Sequence, residues 1–290
     1  MKLNVATCQF PVDRSIPKNL SCVERQLKLA KARGAHVVHF SEACLSGYAG
    51  VEFDSFATFD WGRLGEAMAA VIRAVRRLRV WVIIGSSHRL SGRHKPHNSL
   101  YIINPRGQII DRYDKMFCTG NPKGTSGDLN HFTPGNHFSV FNIRGFRCGA
   151  LICHDFRYDE LYRRYKQHGV QVMFHSYHNA HRPLAQRYRP NIHGVIVPPT
   201  MQTYAANNHM WISANNSSKA VSSWSSFSVR PDGTIAGRLP RERSGILMTT
   251  VDTNTKFYDA SSHWRDRAIS GVYHSGRLVR DKRSQDRTCV

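Results

Sequence analysis

Short apolar runs of strand length recur along this chain, and between them lie stretches where apolar residues return every three or four positions. Leu3 to Gln9 reads as a strand. Asn19 to Arg33 then predicts a helix with Leu20, Val23, Leu27 and Ala30 on one face and Gly34 closing it. "AHVVHF" is a short buried strand that ends immediately before Ser41 and Glu42. Trp61 to Leu78 predicts a second amphipathic helix, carrying Leu64, Met68, Val71, Ile72 and Val75 inward, and it leads into the buried strand "VWVIIGSS". "NSLYII", the turn "NPRG" and "QIIDRY" form a hairpin whose second strand delivers Lys115.

The second half follows the same plan. "HFSVFNI", a turn at Arg144 and Gly145, and "FRCGALIC" form a hairpin that delivers Cys153. A helix over about Asp159 to His168 follows, then strand "VQVMFH", a helix near Thr200 to Asn208, strands "MWISA" and "SSFSV", the turn "RPDG", and strand "GILMTTV". Helices alternate with strands in both halves, so the chain reads as α/β with mixed sheets, two of them packed face to face with helices outside. No Pro- or Gly-rich linker divides it, which predicts one domain. From about Tyr258 the periodicity fades into polar sequence that either wraps over a partner surface or frays.

Composition adds limits. With 290 residues and 41% hydrophobic content the chain can bury a large core. No stretch approaches the roughly 18 uninterrupted apolar residues of a membrane helix, and the first residues lack a basic flank before an apolar run, so a soluble, cytoplasmic protein is expected. Seven scattered cysteines without a CxxC pair fit free thiols in a reducing compartment. A formal charge of +21 attracts polyanions, but the cations are spread along the whole chain with no recognisable nucleic-acid motif. An unspecialised basic surface is the simpler reading, and a nucleic-acid partner the alternative.

The chemistry concentrates at strand ends. Glu42, Lys115 and Cys153 each follow an apolar strand, at the sheet edge where ligands bind in α/β folds. A thiol attacks as thiolate, and its pKa falls near a cation or a helix start. Lys115 can supply the cation, and Glu42 can take the thiol proton, pass it to a leaving amine and later activate water. Lys115 and the backbone N–H of His154 can then hold the charge that builds on an attacked amide or nitrile.

In their order and separations, "SEACLSGY", "DRYDKMF" and "CHDFRYDELYR" resemble the three signature regions of the nitrilase superfamily of carbon–nitrogen hydrolases. Support comes from "VATCQFPV", "HNSLYIINPRGQIIDRY", "TPGNHFSVF" and "SVRPDGTIAG", and the resemblance covers residues 1–252. It implies a four-layer α-β-β-α sandwich over 1–252, with 253–290 as a C-terminal extension that crosses the interface of a homodimer. Glu42 falls at the family's general base and acid, Lys115 at its transition-state lysine and Cys153 at its nucleophile, which forms a thioester; no metal or organic cofactor is implied. Asp128 stands at the position of a second glutamate. The cysteine motif continues "RYDE" where "RFPE" is usual, and Tyr204 and Asn207 replace an arginine and an acidic residue.

The resemblance places substrate-reading residues after the strand "VQVMFH". His175, His178 and His181 recur at three-residue spacing, which reads as a metal site, as a pocket wall made by His178 and Asn179, or as satisfied histidines. No HExxH or CxxC pattern supports the metal. Tyr48 reads as a second wall residue or as a packed aromatic, and Arg157 as a carboxylate fork or as an ion pair with Asp155 or Glu160. The expected activity is that of a thiol amidohydrolase cleaving a small linear amide or N-carbamoyl compound. The alternatives are a nitrilase, acyl transfer from the thioester to an amine, and a catalytically silent member that binds nucleic acid.

Overall fold

A computed structural model of the chain describes residues 1–180, 184–187, 189 and 191–288. The first sheet contains β1 (Lys2–Gln9), β2 (Val37–Phe40), β3 (Trp81–His88), β4 (His97–Ile103), β5 (Ile109–Asp114) and β12 (Gly245–Asp252). Its order is β12-β1-β2-β3-β4-β5, with β1, β2 and β3 parallel and the others antiparallel. The second contains β6 (Val140–Ile143), β7 (Phe146–Ile152), β8 (Val172–Ser176), β9 (Trp211–Asn215), β10 (Phe227–Val229) and β11 (Ile235–Arg238). Its order is β11-β10-β9-β8-β7-β6, with β7, β8 and β9 parallel. Both halves therefore build three parallel strands around two helical crossovers, a repeat of architecture that the residues do not display.

The crossovers supply the outer layers. α1 (Ile16–Ala32) and α2 (Trp61–Leu78) pack together outside the first sheet, and α3 (Asp159–Gln167) and α4 (Ile192–Asn208) outside the second, completing the α-β-β-α sandwich. α2 matches its sequence pattern, with Leu64, Val71 and Val75 buried and Asp60 capping its first turn through Arg63 N. α1 begins three residues earlier than its apolar face suggested, with Pro17 in the first turn where a missing N–H is harmless. α4 begins at Ile192, eight residues before the expected helix near Thr200, and runs through Pro198 and Pro199. Asn191 caps it, and the hydroxyls of Thr200 and Thr203 donate to the carbonyls of Ile196 and Pro199.

Where the sheets face each other the core is apolar at Leu3, Val5, Ile83, Ala150, Phe174 and Ile212, and a polar seam crosses it. Buried His39 lies 2.8 Å from both Ser213 Oγ and Ser176 Oγ, and Asn215 Nδ2 donates to the carbonyls of Cys8 and His39 at 2.9 and 2.5 Å. After β12 the chain turns over α3 and α4 through α5 (Arg265–Ile269), where Gln167 Nε2 donates to Ile269 O and Arg265 Nε to Asn207 O, and then reaches α6 (Lys282–Gln285). A cleft of about 390 Å³ lies there, lined by Asp159, Arg163, Tyr204, Asn207 and Trp264. No described helix is long and apolar enough to cross a membrane.

Candidate active site

The three strand-end residues converge. Glu42 follows β2, is fully buried, and its backbone N–H donates to Tyr177 O across the sheet interface. Gly85 on β3 makes room for this segment: a Cβ there would stand 2.2 Å from Ser41 O and 2.5 Å from Ala43 N. Lys115 follows β5, with its backbone N–H donating to Asn98 O on β4. Its ammonium lies 2.9 Å from Glu42 Oε1 and 2.7 Å from Asp128 Oδ2. Asn98 Nδ2 donates to the same Glu42 oxygen at 2.7 Å, whereas Glu42 Oε2 has no hydrogen-bond partner among the described residues.

Cys153 immediately follows β7 and has φ +42°, a left-handed conformation that a side-chain-bearing residue keeps only when its surroundings hold it. A short 3₁₀ turn over Cys153–Arg157 follows, and α3 begins only at Asp159. Asp155 in this turn ties the two halves of the site together. Its carboxylate accepts from Ile152 N, Phe117 N and Tyr113 Oη at 2.9, 2.9 and 2.7 Å, which locks the Lys115 segment against the Cys153 segment.

Asp128, from a 3₁₀ turn over Gly127–Asn130, and Tyr48, from the loop after Glu42, complete the cluster. Tyr48 Oη donates a short hydrogen bond to Asp128 Oδ1 and lies 3.4 Å from Lys115 Nζ. Tyr48 is thus part of the charge network rather than only a wall. His178 stacks on its ring at 5.2 Å and places Nε2 3.1 Å from Glu52 Oε2, and its backbone draws the Cys153 pKa downward. Asn179 is tied through its backbone to the side chain of Asn216. His154 is half-buried, and burial, with the nearby Lys115 and Arg157 charges adding to it, pushes its pKa down and keeps the ring neutral.

Electrostatics departs from the sequence expectation for the thiol. Burial, with the Glu42 carboxylate adding to it, pushes the Cys153 thiol well above its ordinary value, and Lys115 pulls the other way without winning. These influences favour the neutral thiol over the thiolate. Burial alone would lower Lys115, but Glu42, Tyr48 and Asp128 outweigh it and hold the ammonium charged. For Asp128 burial acts upward, and its ion pair with Lys115 and its hydrogen bonds bring the carboxyl below the usual range.

Two other expectations change. His175 contacts Tyr162 and the Cys153 carbonyl while His178 contacts Glu52, so these two histidines serve different partners; His181 lies outside the described residues. Arg157 stacks over the Phe156 ring at 4.7 Å, and Asp155 is occupied by other donors. The sequence reading missed Asn98, whose only signal was its place in the quoted "HNSLYI", and the Asp155 tie, for which the sequence offered no signal.

A profile of the carbon–nitrogen hydrolase family matches residues 4–256. This chain belongs to that family. It is 24% identical over 248 residues to nitrilase homolog 2 of Dictyostelium discoideum, covering 82% of the chain and 71% of that protein. It is 27% identical over 150 residues to omega-amidase NIT2 of Homo sapiens, covering 51% of the chain and 53% of that protein. It is 25% identical over 177 residues to 2-oxoglutaramate amidase of Bacillus subtilis (strain 168), covering 61% of the chain and 65% of that protein. The chain thus spans less than two thirds of the length of these two amidases. An amidase from Nesterenkonia sp. shares the fold with a TM-score of 0.71 at 16% identity, covering 86% of the chain and 90% of that structure. The glutamine-dependent NAD+ synthetase from Acinetobacter baumannii does so at 0.70 and 18%, with 97% of this chain on 49% of that one. The chain is therefore a member of the carbon–nitrogen hydrolase family, with an α/β sandwich fold shared with nitrilase-superfamily amidases.

Proposed function

We propose that the protein is a thiol amidohydrolase that releases ammonia from the terminal amide of a small linear molecule. The observation that carries this is the division of labour at Glu42, where one oxygen is held by Lys115 and Asn98 and the other has no hydrogen-bond partner among the described residues, while the carboxylate's charge acts on the Cys153 thiol and helps keep it protonated. Cys153 Sγ attacks the amide carbon as its proton passes to Glu42 Oε2. Lys115 Nζ and the His154 N–H hold the resulting oxyanion. Glu42 then protonates the departing nitrogen, ammonia leaves, and a thioester remains. Water, deprotonated by Glu42, cleaves the thioester and frees the carboxylate and the thiol. Asp128 and Tyr48 keep Lys115 charged and fixed throughout.

Exposed Arg157, with His154 and His193 beside it, favours a substrate with a carboxylate at its far end, as the omega-amidase names of relatives also suggest. An N-carbamoyl compound uses the same steps. A nitrile would require water at an earlier stage and is the poorer fit. Homodimerisation is part of the proposal, supported by Tyr258, Tyr273 and Leu278, which the C-terminal segment leaves 79%, 83% and 74% exposed. A cytoplasmic location is supported by six free cysteines among the described residues.

A second reading has its own observation. Arg25, Lys28 and Lys31 on α1, Arg73, Arg76 and Arg77 on α2, and Arg33 and Arg79 just past their C-terminal ends are exposed and form no ion pair among the described residues; Lys31 Nζ, 3.5 Å from Arg79 O, brings the two helix ends together. This surface suits a phosphodiester backbone. The test is ammonia release over short amides with and without a terminal carboxylate, ureido acids and nitriles, with Cys153→Ala as control and intact mass recorded. Turnover lost in the variant, with an acyl adduct on the native chain, is expected. No turnover and no adduct, with duplex retained in a salt-dependent manner, would replace this reading by the second.

A further inference from the structure

His175 lies on β8 opposite Leu151 of β7, two residues before Cys153. Its ring is buried and stacked on Tyr177 at 4.3 Å, with the planes 8° apart. Nδ1 is 2.5 Å from Tyr162 Oη, and Nε2 is 3.2 Å from the carbonyl oxygen of Cys153. A carbonyl has no proton to give, so Nε2 must carry one for that bond to form. Burial holds the imidazole neutral, with its pKa lowered to about 3, and a neutral ring has a single N–H. Nδ1 is therefore bare and accepts from the Tyr162 hydroxyl. Met201 Sδ, 3.2 Å from the same hydroxyl, is the weaker acceptor.

The carbonyl that His175 holds belongs to the Cys153–His154 peptide. In a planar trans peptide C=O and N–H point in opposite directions, so fixing one aims the other. We propose that His175, kept in its Nε2–H tautomer by Tyr162, is a positioning residue: by clamping the Cys153 carbonyl it aims the His154 N–H at the oxyanion and holds the thiol in its left-handed turn. This rests on Cys153 being the nucleophile.

Tyr162→Phe deletes one oxygen and frees the ring to take the other tautomer, which sets a lone pair against the carbonyl. His175→Gln supplies an amide N–H at the position of Nε2 without needing Tyr162. The four chains of this cycle are compared by kcat per alkylatable site, KM, and the rate of iodoacetamide addition to Cys153 followed by mass. Tyr162→Phe should lower kcat about 10- to 100-fold with KM moved less than about threefold, the size expected when one oxyanion donor is misaimed. It should slow alkylation at least fivefold. His175→Gln should stay within about fivefold of the native kcat, and adding Tyr162→Phe to it should cost nothing more. Equal loss from Tyr162→Phe in both backgrounds, or a kcat per site within twofold of native, would overturn the proposal. The alkylation rate needs no turnover: if amides are not hydrolysed the catalytic reading falls, while an alkylation rate unaffected by Tyr162→Phe removes the clamp.

Discussion

Acid should destabilise this protein well above the pH at which carboxylates protonate, because two buried histidines refuse protons. His39 and His175 are both held neutral by burial, with pKa values lowered from 6.5 to about 3. The unfolded chain binds those protons near its ordinary value, so the stability is present above about pH 6.5 and is lost as pH falls toward 3. Between pH 7 and 5 each ring costs on the order of 2 kcal/mol. Asp155 opposes this. Burial raises its carboxyl to about 6 against three hydrogen bonds, so its share grows as pH falls through 6, by on the order of 1 kcal/mol over the same range. The net loss is roughly 2 to 3 kcal/mol, a large part of an ordinary domain's stability. Urea unfolding followed by tryptophan fluorescence at several pH values measures it, provided the slope in urea is constant. His39→Gln should weaken the fold at neutral pH, since His39 bridges Ser176 and Ser213, and should also remove about half of the histidine contribution to the acid slope. Stability that changes by less than about 1 kcal/mol from pH 7 to 5, or a His39→Gln chain with the native acid slope, would refute the reasoning.

Two further substitutions probe the site. Gly85→Ala forces a Cβ to within 2.2 Å of Ser41 O, so the Glu42 segment must shift; kcat should fall at least 100-fold by steady-state assay, with a melting temperature lowered by several degrees. Asp128→Asn leaves Lys115 with one carboxylate and should lower kcat roughly 10- to 100-fold, while Asp128→Glu, which keeps the charge, should recover much of it.

Glu42, Lys115 and Cys153 were legible because each follows a strand-like run, although Lys115 follows an antiparallel strand and Cys153 a strand of the other sheet. Asp128 was legible only through the family resemblance, at the position of its second glutamate. What could not be read depends on which strands are neighbours. Asn98 reaches Glu42 only because β4 lies beside β3 in the sheet, and His175 reaches Cys153 only because β8 pairs with β7. β11 escaped notice because "IAGR" is a four-residue edge strand of alternating exposure. The thiol was expected to be acidic from a nearby cation and helix, which are local features. Its environment is set by burial and by a carboxylate from the other sheet, and neither is a local property.

That the site is shared between two sheets explains the polar seam beneath it. Glu42 and Lys115 belong to the first sheet and Cys153 to the second, so their geometry depends on how one sheet sits on the other. An apolar interface alone resists separation but fixes sliding only through packing, whereas directional hydrogen bonds between buried groups specify a single alignment. The seam makes such bonds next to the chemistry. Ser176 Oγ donates to Phe40 O at 2.8 Å, Asn215 Nδ2 to His39 O, and Glu42 N to Tyr177 O at 3.3 Å. Glu42 and the residues leading into it are therefore stapled to the β8 and β9 segments, and β8 pairs with the strand that leads to Cys153. Glu42 is registered against Cys153 by the same contacts that lock the sandwich.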